Sequence, residues 1–136
     1  MTKDEIVSFI NANPTCYLAT VDGDAPHVRA MGMYKADDRG ILIQLSSIKG
    51  MYGELVKNPK IELCYNGSGK VVRISGRAEF LEDQALKEEL VKARPFLKPL
   101  VDAHGWEVIK VFRVASPIAT VWTMDTNLEP REFVRL

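Results

Sequence analysis

Near the start of the chain, apolar residues recur at helical spacing, with Ile6, Phe9 and Ile10 forming one stripe. Thr2 followed by Glu5 is the spacing of a capping box, so the pattern predicts a helix over about residues 3–12, stopped by Asn-Ala-Asn-Pro. The period then shortens to two. TCYLATV (15–21) is a strand by composition, and DGDAP is a turn whose Gly23 permits positive φ. DAPHVRAMGMY (24–34) reads as the second strand of a hairpin. One of its faces carries His27, Arg29, Met31 and Met33, and the other Val28, Ala30, Gly32 and Tyr34. An arginine among methionines on a half-buried face needs a reason.

KADDRG turns the chain again, and ILIQLS (41–46) is a third strand, so an antiparallel meander of three strands is expected. SSIKGMYGELVKNP changes to helical spacing, with a serine before it and Asn58-Pro59 after it. KIELCYN is a strand, GSG a tight turn and KVVRISGRAEFLE a long strand, in which Gly76 marks a bend or bulge. EDQALKEELVKA (82–93) is a helix with Leu86, Leu90 and Ala93 inward. RPFLKPLVDAHGW is irregular or a short helix. EVIKVFRVAS and IATVWTM read as two strands joined near Ser116-Pro117, and the tail adds room for one more short strand. The whole is mainly β with helices, a single domain over 1–136 built as a six- or seven-stranded antiparallel, partly closed barrel. No βαβ alternation and no glycine-rich dinucleotide fingerprint is present.

Charge narrows the partners. Lysine plus arginine and aspartate plus glutamate are 18 each among 136 residues, a formal net charge of zero, which argues against nucleic acid. The N-terminus has no secretory pattern, and no apolar run approaches the roughly 18 residues that span a membrane. Cys16 and Cys64 lie in apolar strands and read as buried thiols, so a cytoplasmic protein is expected. With His27 and His104 they lack familiar metal-ligand spacing, and no metal is expected. No serine elbow exists either. Any redox or transfer chemistry therefore points to a cofactor.

Two polar features remain. Arg29 projects from the second strand, and LSSIK lies where the third strand passes into a helix. A helix N-terminus offers free N–H groups, Ser46 or Ser47 a hydroxyl and Lys49 a charge. Together with the planar fork of Arg29 they suit a phosphate dianion. The alternative is that Arg29 and Lys49 face solvent and Ser47 merely caps the helix.

The segments YLATVDGDAPHVRAMGM and ILIQLSSIKGMYGELVKNPKIELCYNGSGKVVRISGRAEF, and more loosely ATVWTM, resemble the pyridoxamine 5'-phosphate oxidase-like split-barrel family, in particular its short single-domain members. That resemblance implies a homodimer with FMN in clefts between subunits and an unidentified small-molecule substrate. It implies that Arg29 and Lys49, helped by Ser46 and Ser47, bind the FMN phosphate. Ala30, Met31 and Gly32 would lie along the isoalloxazine ring, with Gln44 and Leu45 on the opposite part of the site. Arg73 would reach the cofactor or the interface, and Trp122 would approach the ring from the second subunit or pack in the core. Val71 replaces the glutamine that the oxidase carries before its Val-Arg pair, and the oxidase's C-terminal arginine-rich ending has no counterpart. Both departures count against pyridoxamine phosphate oxidation itself. A flavin-dependent oxidoreductase is the leading expectation. Its rivals are a deazaflavin-dependent reductase on the same barrel, a flavin or haem carrier or sensor without turnover, and a domain that has lost its ligand.

Overall fold

A computed structural model describes residues 1–136. Helix α1 (Lys3–Ala12) starts where the Thr2 hydroxyl accepts from the Glu5 N–H at 3.2 Å, and it buries Ile6 and Ile10. Strands β1 (Thr15–Asp22) and β2 (Ala25–Gly32) form the expected hairpin, in register from Thr15↔Gly32 to Asp22↔Ala25.

The expected meander stops there. A short strand β3 (Lys35–Asp37), inside the predicted turn, pairs with β4 (Gly40–Ser46). The other side of β4 pairs with β7 (Ile109–Thr123), not with β2. The reason is that β4 is apolar on both faces, as central strands are. Ile41, Ile43 and Leu45 enter the main core, whereas Leu42 packs with Leu86, Leu90 and Leu97. A hairpin partner at the sheet edge would leave one of those faces in water.

Helix α2 (Gly50–Lys57) follows β4, and β5 (Lys60–Gly67) and β6 (Lys70–Leu81) complete the barrel wall. The strand order is β2-β1-β5-β6-β7-β4-β3, with β8 (Val134–Arg135) paired to β7. Seven strands thus follow one antiparallel path, and the two-residue β8 realises the expected tail strand. Helices α3 (Gln84–Ala93) and α4 (Lys98–His104) cover the outer face of β4 and β7 with a second apolar layer. Ala93, expected inward, is exposed: it is the last residue of α3, beyond Leu90, the helix's last buried position. No helix is long and apolar enough to cross a membrane.

The two expected C-terminal strands are one strand of 15 residues. Ser116 and Pro117 do not break it; they form a bulge opposite Gly76, where the β6–β7 register shifts. Ser116 takes φ 51°, and Pro117 costs no ladder bond at a bulge. A Cβ on Gly76 would stand 2.5 Å from Val114 Cγ1 and 2.8 Å from the Ala115 carbonyl oxygen. The glycine therefore lets β6 and β7 approach closely enough to close the wall.

Candidate functional site

The face that carries Arg29 is covered by α2. Direct cross-strand pairs share a face, so Leu18 and Arg29 lie side by side, as do Thr20 and His27. The Arg29 guanidinium donates to Thr20 Oγ1 at 2.7 Å, to the Leu18 carbonyl at 3.3 Å and to Glu54 Oε2 at 3.0 Å. The other Glu54 oxygen meets His27 Nδ1. The Glu54 side chain is 12% exposed and that of Arg29 26%, so this pair is partly withdrawn from water under the helix. Met33 is buried and takes a hydrogen bond from Tyr65 Oη to its sulfur at 3.2 Å. Met33 is core packing, and the arginine is held by a carboxylate delivered from α2.

A cavity of about 660 Å³ opens between the end of β2, the end of β4 and the start of α4. Ala30, Met31, Gly32, Gln44, Leu45, Ser46 and Lys49 line it, seven of the positions the sequence singled out. The volume lies within the range of small-ligand sites, which span roughly 300–1,000 Å³. Lys49 is the residue before α2, makes no capping contact, and no acidic residue follows in the first helical turn. A cation at the positive end of a helix dipole is unfavourable unless an anion sits between them. Ser46 is buried and its hydroxyl accepts from the Ile48 N–H at 3.4 Å, so the turn is shaped from within.

The remaining wall comes from a segment read as irregular or a short helix, part of which forms α4: Arg94, Phe96, Leu97 and Leu100, with Met51 of α2. Arg94 closes α3 and reaches back across the cavity. It donates to the Gly32 carbonyl at 3.2 Å, the Met33 carbonyl at 3.0 Å and Gln44 Oε1 at 3.3 Å, and it lies over the Tyr34 ring at 5.6 Å. Burial pulls its pKa below the usual guanidinium value. No carboxylate pairs with it, so its charge stays uncompensated beside the cavity. Because Arg94 engages the Gln44 oxygen, the amide nitrogen is the end left free to donate. The signal for Arg94 in the sequence was slight, a single cation before a proline at a helix end.

Four expected residues lie elsewhere. Arg29 does not line the cavity but sits under α2, against a glutamate one turn into the helix. Arg73 and Trp122 line a second concavity of about 640 Å³, formed by β6, β7 and the C-terminal tail. There Arg73 donates to Glu62 Oε1 at 2.6 Å and Trp122 Nε1 to Asn127 Oδ1 at 2.8 Å. Ser47, half-buried, donates its backbone N–H to the Val108 carbonyl at 2.9 Å, which ties the turn to the start of β7.

An antiparallel path with β2 and β3 at its two edges, a ligand-sized cavity where β2 and β4 end and a cationic turn beside it define a split barrel. The chain belongs to the pyridoxamine 5'-phosphate oxidase family, which it matches over residues 2–122. Among solved structures it is similar to a NimC/NimA family protein from Clostridium acetobutylicum, with 23% identity, a TM-score of 0.81, and coverage of 98% of this chain and 92% of that one. General Stress Protein 26 from Bacillus anthracis is similar with 21% identity, a TM-score of 0.70 and 98% of both chains covered. PhzG from Burkholderia lata, solved with tetrahydrophenazine-1-carboxylic acid, is similar with 16% identity and a TM-score of 0.72, covering 98% and 89%. These likenesses establish the fold. No curated protein matches the sequence.

Proposed function

We propose that this chain binds FMN and acts as a flavin-dependent oxidoreductase on a small organic molecule in the cytoplasm. The observation that carries the reading is the start of α2, where Lys49, without a cap or an acidic neighbour, opens on a cavity with apolar walls. The donor set fits the cofactor. Lys49, the Ser46 hydroxyl and the N–H groups of Gly50 and Met51 at the start of α2 suit its phosphate; Met31, Leu45 and the backbone of Ala30–Gly32 suit a flat ring; the Gln44 amide suits a ring carbonyl. Arg29 lies beneath the same helix with its charge taken by Glu54, so its part is to hold α2, and with it the cationic turn, against the hairpin. Bound there, a flavin supplies hydride or single-electron transfer. The protein's part is to hold the ring, fix its polar edge and limit access of water.

A second copy completes the site in this reading. Trp122, Met124, Leu128 and Phe133 are exposed around the second concavity, and Tyr17 and Val28 are exposed on the hairpin. Burial of such a surface in a homodimer would place Arg73 and Trp122 of one protomer near the cofactor of its partner.

One observation favours a carrier or sensor without turnover. No histidine, cysteine or carboxylate lines the cavity, so no side chain there is an evident acid or base. The same fact weakens haem, which lacks a histidine or cysteine ligand in this cavity. The test is the visible spectrum of gently purified protein, followed by reduction with nicotinamide cofactors with and without candidate acceptors. A flavin spectrum with substrate-dependent reoxidation supports the enzyme. Flavin that no acceptor reoxidises supports the carrier, and a deazaflavin spectrum replaces FMN. Absence of any chromophore, with no flavin affinity, refutes the proposal.

A further inference from the structure

Away from the cavity, Asp22, His27 and Glu54 bring three ligand atoms together, one oxygen from each carboxylate and one imidazole nitrogen, all within 4.8 Å of one another. They come from three elements. Asp22 ends β1, His27 lies on β2 and Glu54 on α2. The hairpin register sets the first two. Thr20 stands opposite His27, and Asp22 is two residues beyond Thr20, so both side chains leave the same face of the sheet, toward the helix.

We propose that this triad is a binding site for a divalent transition-metal ion such as Zn²⁺. Its geometry has an inner and an outer part. Glu54, 12% exposed, is held from below by Arg29, which takes Oε2 and leaves Oε1 turned toward His27. An outer hydrogen bond of this kind is what orients a ligating carboxylate in metal centres. His27 is 45% exposed and Asp22 is exposed, so an ion has an open approach from solvent. The gathered atoms need only rotamer adjustments of the two exposed side chains to close on an ion about 2 Å from each.

The donor set selects the ion. One imidazole nitrogen with two carboxylate oxygens suits Zn²⁺ and its neighbours, and water completes a fourth position. Ca²⁺ and Mg²⁺ prefer six or more oxygens and gain little from the imidazole. Charge sets the strength. Two carboxylates and Arg29 leave one net negative charge, so a divalent ion is attracted but only moderately, which places affinity in the micromolar range. On binding, the metal displaces the proton shared by His27 and Glu54, which passes to the other ring nitrogen or to solvent, and the His27–Glu54 hydrogen bond gives way to two metal–ligand bonds. No redox change is involved, and nothing in this site depends on a flavin.

Calorimetric titration of the chelator-treated full chain with zinc chloride tests it, in the presence of excess Mg²⁺. One Zn²⁺ per chain is expected at micromolar affinity. His27→Ala and Asp22→Asn should each weaken it by at least about tenfold, whereas His104→Ala should leave it unchanged. With Co²⁺, a visible ligand-field spectrum should appear in the natural chain and vanish in His27→Ala. Loss of binding in Mg²⁺, a stoichiometry below one, or equal affinity in His27→Ala would overturn the site.

Discussion

Two arginines bear on β2, Arg29 from within the strand and Arg94 from the end of α3, and their surroundings differ in one decisive respect. Arg29 is matched by a carboxylate, with Glu54 at 3.0 Å and Thr20 and Leu18 filling its other donors. Arg94 meets only neutral acceptors, two backbone carbonyls and the Gln44 oxygen. The first arrangement cancels charge and fastens α2 to the hairpin. The second leaves a positive field beside a cavity while bracing its wall. A charged residue is thus a fastener or an attractor according to what compensates it, and its position in the sequence does not say which.

Removing the fastener should have the largest effect. Arg29→Ala strands a shielded Glu54 with only the His27 imidazole beside it. Breaking such a pair should cost about 3 kcal/mol, at the low end for buried charges because both groups are partly wet. Urea unfolding should show the loss, and adding Glu54→Gln should restore most of it. A loss that the second substitution does not repair would mean that Arg29 acts by packing alone.

The attractor should be felt in binding more than in folding. Arg94→Ala should weaken FMN by about 2 kcal/mol, the scale of hydrogen bonds to a charged group. Arg94→Lys should not rescue it, since one ammonium cannot span three acceptors. Equal affinity in Arg94→Ala would break the contrast between the two regions.

A smaller, pH-dependent effect sharpens the picture around Arg94. Burial, reinforced by a 2.5 Å hydrogen bond to Glu89, pushes the Tyr34 phenol up to about 12. Its unfolded value is about 10. The folded chain therefore holds this proton more tightly. That stabilisation is complete below pH 10 and is lost as pH rises through about 12. Burial pushes the Cys16 thiol up to about 11, which acts in the same direction. Denaturant midpoints measured from pH 9 to 12 should fall more gently in Tyr34→Phe than in the natural chain. Parallel slopes would remove Tyr34 from the account. The smallest effect belongs to Arg73, whose pair with Glu62 is exposed. Arg73→Ala should change stability of the isolated chain by less than about 1 kcal/mol, and a larger loss would point to a second copy held through this concavity.

Much of the barrel is legible in local patterns. The capping pair Thr2 and Glu5, the Gly23 turn and the lone mid-strand glycine at 76 each specify geometry through neighbours in sequence. What is not legible depends on partners far along the chain. ILIQL looks like any apolar strand, and only the apolar sides of α3 and α4 decide that it lies centrally beside β7. Ser116-Pro117 reads as a break because its compensation, Gly76, lies on another strand. The same holds at the site. Ala30–Gly32 and Gln44–Ser46 were recognisable from their order and fall on one cavity. Arg94 was not, because a cation at a helix end is usually solvated. Arg29 was recognisable as unusual, but its glutamate, one turn into α2, gave no sign of pointing toward it.

The central claim is that the cationic turn before α2 and the cavity beside it receive a flavin phosphate. Titration of the flavin-free chain with FMN and, separately, with riboflavin tests it most directly, with flavin fluorescence as the readout. One FMN per chain at micromolar affinity or tighter is predicted, with riboflavin at least about tenfold weaker because it lacks the charged hydrogen bonds of the phosphate. FMN affinity no better than about millimolar, a free energy near −4 kcal/mol, or equal affinity for the two flavins, would contradict it.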